Sequence, residues 1–82
     1  MAKGDKYIEL QKYLEKSQQN QVILTYGEIE QIVGFVLPKS AYTHSSAWWA
    51  NDVTHSQAIA WLEADYLVED IRKENIVFQK NK

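Results

Sequence analysis

From Leu37 to Leu62 the chain reads LPKSAYTHSSAWWANDVTHSQAIAWL. This stretch holds all three tryptophans, both histidines, the only proline and four of the serines, and its only charged side chains are Lys39 and Asp52. A segment kept in water would carry more charge, and one that is only core would carry fewer hydroxyls, amides and imidazoles. Apolar surface with a few neutral polar groups is how sites for small or planar ligands are built. The stretch reads as a binding surface inserted between two helices.

At its far end, Thr54-His55-Ser56-Gln57 has capping-box form and predicts a helix from about Thr54 to Ala64. Ala58, Trp61 and Leu62 would face the core; His55, Ser56, Ile59 and Glu63 lie on other faces. Upstream, Thr25-Tyr26-Gly27-Glu28 is a second capping box. It opens a helix with Ile29, Ile32 and Val33 inward, a solvated Glu30, and Gly34 placed to end it in a left-handed conformation. Pro38 suits the first turn of a short helix through Ala41, and Tyr42 to Val53 shows no regular element. At the N-terminus Asp5 is placed to cap a helix over Lys6 to Ser17, with Tyr7, Leu10, Tyr13 and Leu14 as its core stripe. Gln18 to Gln21 reads as a turn and Val22 to Leu24 as a short strand. Tyr66-Leu67-Val68 and Ile76-Val77-Phe78 read as a hairpin turning through Lys73-Glu74-Asn75.

The order helix, strand, helix, helix, strand, strand predicts an α+β domain spanning 1–82. It is winged-helix-like: three helices with a small antiparallel sheet. It departs from that plan at the connection from Phe35 to Val53, because a helix-turn-helix uses three or four residues there. A connection that long in so small a domain is functional or disordered, and Trp48-Trp49 argues against disorder.

With 82 residues there is room for one domain, and a chain of this length buries only roughly 60% of its unfolded surface. Any site must therefore share residues with the core. The absence of cysteine removes disulfides, thiolate metal ligands and a cysteine nucleophile, and points to a reducing cytoplasm. No apolar run approaches the roughly 20 residues of a membrane span, and the N-terminus lacks a signal-peptide core, so no membrane partner is expected. A net charge of −2 argues against a protein that mainly grips phosphate backbone. Its basic residues gather at the ends: Lys3, Lys6, Lys12 and Lys16, then Arg72, Lys73, Lys80 and Lys82.

Four pieces carry a family resemblance: Leu24-Thr25-x-x-Glu28-Ile29-Glu30, Leu37-Pro38-x-Ser40-Ala41, Trp48-Trp49-x-Asn51 and His55-x-x-Ala58-x-Ala60-Trp61-Leu62. From Tyr7 to Phe78 the chain resembles an uncharacterised small bacterial domain family, a domain of unknown function. The resemblance implies short stand-alone proteins and appendages of larger ones, some nuclease-like, and it implies no activity. Where such sequences have Gly after the last helix, this one has Asp65, which tolerates a left-handed cap.

Ser40, Trp48, Trp49, Asn51 and His55 are the candidate ligand-binding residues. Adjacent tryptophans cannot both point into one core, so one indole should lie at the surface, where it could stack on a nucleobase. Asn51 either pairs with a base edge or caps a turn, and His55 either hydrogen-bonds a ligand or pins the loop. Trp61 is read as core. His44, Ser45, Ser46, Asp52 and His55 have the residue types of a hydrolase, but no catalytic signature or metal spacing joins them, so neither enzyme activity nor a metal or other cofactor is expected.

Three readings follow. The first is a non-enzymatic module recognising a nucleotide-like ligand, in the manner of a small bacterial or phage protein that sequesters a nucleotide immune signal. The second is a winged-helix DNA-binding module tied to nuclease or defence systems. The third is a protein-interaction domain anchored by an exposed tryptophan, with a partner or a second copy in a homo-oligomer.

Overall fold

The computed structural model describes residues 5–81. It is an α+β fold of five helices and one three-stranded antiparallel sheet. A 3-10 turn, Asp5–Tyr7, leads into α1, Ile8–Ser17. The expected cap by Asp5 falls on a side chain outside the described residues, and Tyr7 stands at the N-cap with no side-chain bond. Tyr7, Leu10 and Leu14 are buried as the stripe predicts, whereas Tyr13 is 44% exposed and does not join the core. The helix ends at Gln18, whose φ of 56° is left-handed.

Strand β1, Gln21–Thr25, alternates, burying Val22 and Leu24. Thr25 then closes the expected capping box of α2, Tyr26–Val33: Glu28 N–H donates to Thr25 Oγ1 (3.1 Å) and Thr25 N–H donates to Glu28 Oε1 (2.8 Å). Ile29 and Val33 are buried, and Gly34 ends the helix at φ 85°, which costs glycine little. Glu30 is not left to solvent, as the sequence suggested. Its Oε2 accepts from Leu37 N–H (2.9 Å) and from the Tyr42 hydroxyl (2.8 Å), fastening the start of the insertion to α2.

The insertion is more regular than its sequence indicated. It forms α3, Ser40–Thr43, shifted two residues from the short helix expected through Ala41, and α4, Ser45–Trp48, a single turn too short for an apolar period to register. The last helix, α5, Ser56–Glu63, begins two residues later than predicted. Thr54 does not cap it, because Thr54 spends its hydroxyl on Asp52 Oδ1 (2.7 Å), which also accepts from Thr54 N–H (2.9 Å). His55 takes the N-cap position with no side-chain bond to the helix. Ala58, Ala60 and Trp61 are buried, and Asp65 is left-handed at φ 66°, as its residue type allows.

Strands β2, Tyr66–Ile71, and β3, Asn75–Lys80, complete the sheet in the order β1-β3-β2. Val22 faces Phe78 and Leu24 faces Ile76, while Val68 faces Phe78 from the other side. Register slips between Val68 and Asp70, so the run is bulged at Glu69. Two consecutive acidic residues break the alternation of β2 at that point. Against the inner face of the sheet, Leu10, Leu14, Ile29, Trp49, Trp61, Ile76 and Phe78 form one continuous core.

Candidate functional site

The insertion is held by its indoles. Trp49 is 1% exposed and Trp61 fully buried; their rings stack at 5.6 Å, and Trp61 continues to Phe78 at 5.8 Å. Trp49 Nε1–H donates to Ala41 O (3.0 Å), joining the end of α4 to α3. Trp48 packs half-buried against the same core, with its ring edge-on to Trp49 at 4.6 Å and to Tyr7 at 6.0 Å, so the adjacent indoles do not divide between core and surface as expected. Its carbonyl accepts from Gln57 Nε2 (3.0 Å), which ties α4 to α5.

Asn51 makes the densest polar contact. Its Oδ1 accepts from Trp61 Nε1–H (2.9 Å) and from Val68 N–H (2.9 Å), and its Nδ2 donates to Val68 O (3.0 Å). Two donors and one acceptor fix the orientation of the amide and fill its oxygen. Because β2 is an edge strand, the amide gives and takes both hydrogen bonds of Val68 as one residue of an added strand would.

Beside Asn51 lies an open cleft of about 380 Å³, lined by Ser46, Trp49 and Ala50 on one side and by Val68 to Ile71 on the other. Of the five candidate residues, it brings together Trp49 and Asn51. Ser40 is half-buried at the start of α3, Trp48 packs toward Tyr7, and His55 stands at the start of α5; none of the three lines the cleft. His55 Nδ1 is buried without a hydrogen-bond partner, so that atom makes no bond that would pin the loop. The sequence reading missed Glu69, Asp70 and Ile71. Their signal was the paired acidic residues inside a strand, but nothing local tied them to a loop nearly twenty positions upstream.

The charge of the cleft comes from carboxylates. Glu69 and Asp70 are exposed, and Asp70 Oδ2 accepts from Arg72 Nε–H at 3.2 Å, a pair open to solvent on both sides. Among the described residues, no Lys or Arg lines it. Nearby, the Thr54 N–H and hydroxyl hold the Asp52 carboxyl below its usual range. Burial, then the hydrogen bond to Glu30, pushes Tyr42 up to about 12.

A larger open concavity, about 650 Å³, lies away from the insertion on α1, with Ile32 of α2 at its border. The cleft at β2 is the better candidate because it joins the insertion to an outer strand of the sheet, whereas the α1 concavity is bordered mainly by one helix. Among the described residues, no three of His, Asp and Glu gather as metal ligands, and no serine hydroxyl is hydrogen-bonded to His44 or His55. No described helix is long and apolar enough to cross a membrane.

The chain belongs to the family described as a domain of unknown function (DUF7662), which it matches over residues 7–82. No curated protein and no solved structure matches it.

Proposed function

We propose that the chain is a non-enzymatic interaction module that takes an extended, cationic segment of a protein partner along the β2 edge, in the cleft beneath the insertion. The observation that carries this reading is the double hydrogen bond of Asn51 to Val68. Asn51 fills the edge at Val68 in the manner of an added strand and leaves the bulged Glu69–Ile71 run beside it in the cleft for a segment that continues that strand. Strand addition uses such edges, with main-chain bonds giving affinity and flanking side chains giving specificity. The lining carboxylates favour Lys or Arg in the segment. They also weigh against the nucleotide reading, because a nucleotide's phosphates would meet Glu69 and Asp70 while the indole of Trp49 is already stacked on Trp61.

A second reading, the winged-helix DNA-binding module, draws support from the strand order β1-β3-β2 and from Arg72 and Lys73 in the β2–β3 turn. Against it, the exposed charged residue of α5 is Glu63, and Trp49 of the insertion stacks on Trp61 where a helix-turn-helix would pack its two helices together.

Thermal-shift titration separates the readings. Lys- and Arg-containing extended peptides should raise the midpoint, Glu69→Lys should abolish the rise, and free nucleotides should have no effect. A rise with duplex DNA that vanishes as salt increases would favour the winged-helix reading. A rise with a free nucleotide that persists in salt would restore the sequestering one.

A further inference from the structure

Glu9, Lys12, Tyr13 and Lys16 occupy α1 at spacings of three, one and three, which places them in one stripe along the helix. The stripe is turned away from the buried Leu10 and Leu14, and Tyr13 stands 44% exposed within it. These four side chains border the open concavity of about 650 Å³ together with Glu15, Gln18 and, from α2, Ile32. Its polar contacts are weak. Glu9 and Lys12 are 3.6 Å apart with side chains 58% and 63% exposed, so their pairing is easily exchanged for another.

Along the helix the stripe runs acid, base, aromatic, base. Laid antiparallel on a copy of itself, it sets Glu9 opposite the partner's Lys16 and Lys12 opposite the partner's Tyr13, each contact occurring twice. The first is an ion pair and the second a cation over an aromatic face. A parallel arrangement would set Glu9 on Glu9 and Lys16 on Lys16. Self-complementarity of this kind is what a two-fold interface requires, since one patch must recognise itself.

We propose that this face of α1 is a self-association surface, on which a second copy of the chain docks antiparallel about a two-fold axis between Lys12 and Tyr13. It shares no residue with the cleft at β2, so either site can fail without the other. The occupant follows from charge: Glu9 and Lys16 hold opposite signs at mirror-related positions and Lys12 stands at the mirror position of an aromatic ring, a pattern that a uniformly basic or acidic partner would not match.

Sedimentation equilibrium of the full chain at low salt, with NMR diffusion as a second readout, tests this. The wild type should show a monomer–dimer equilibrium that weakens as salt rises. Glu9→Lys and Lys16→Glu should each weaken it at least about tenfold, because each sets like charges opposite one another twice. An equimolar mixture of the two variants should regain the dimer, and so should the double variant. Both positions are on the helix exterior, and unchanged circular dichroism would show that the variants fold. A wild type that stays monomeric to about 1 mM, where any useful affinity would register, would overturn the proposal. So would single variants that associate like the wild type, or a mixture that fails to recover.

Discussion

At Asn51 a single amide serves three partners, and its loss should be felt throughout the insertion. Asn51→Ala strands the buried Trp61 N–H and the Val68 N–H, and is expected to cost about 2–3 kcal/mol in urea unfolding. His55 is the opposite case. Its Nδ1 is buried and unbonded, so His55→Leu should be neutral or stabilising by up to about 1 kcal/mol, whereas a loss of stability would show that the ring is bonded after all. Tyr42 gives a pH signature. Its folded pKa of about 12 lies above the ordinary 10, so the fold favours the neutral phenol. The stability it contributes is complete below pH 10 and is lost as pH rises toward 12, which a phenolate absorbance titration run beside an unfolding curve would follow. The residue types at these positions were legible, since an amide, an imidazole and indoles stood out in an uncharged stretch. Their partners were not. Asn51 meets Val68 seventeen positions on, and Glu30 meets Tyr42 twelve positions on, separations at which no local pattern operates.

Among the elements, the bounds of α2 were legible because both halves of its cap lie within four residues and its stop is a glycine, whereas the partners of Glu30 were not. Thr25→Ala should cost about 1 kcal/mol by removing the cap. The two glycines of this element should respond in opposite senses. At Gly34 an added Cβ meets open space, so the roughly 1–2 kcal/mol lost in Gly34→Ala would be the left-handed backbone alone. At Gly27, inside the helix, the added Cβ comes no closer than 4.0 Å to Thr25 Oγ1, and Gly27→Ala should gain about 0.5–1 kcal/mol in thermal unfolding. The start of α5 was misread for a physical reason. Thr54 has the hydroxyl of a cap, but Asp52 two residues earlier offers a charged acceptor and takes it. Helix α4 escaped because a single turn carries no period, α3 runs two residues later than the short helix expected from Pro38, and the bulge at Glu69 left β2 longer than its apolar residues suggested.

For the molecule as a whole, the uncharged centre of the sequence folds inward as much as it faces out. Trp49 and Trp61 become the core that holds the insertion, and the cleft beside it is bordered by the β2 edge and its carboxylates. That distribution moves the functional reading from a planar anionic ligand toward a cationic, extended one. The measurement closest to this claim is an amide ¹H–¹⁵N spectrum of the labelled chain, titrated with an arginine-containing extended peptide. Shifts are expected to progress together at Ser46, Ala50, Asn51 and Val68 to Ile71, and to be lost in Glu69→Lys. Shifts confined to the β2–β3 turn and α5 on adding DNA, with the cleft silent toward every peptide, would contradict it.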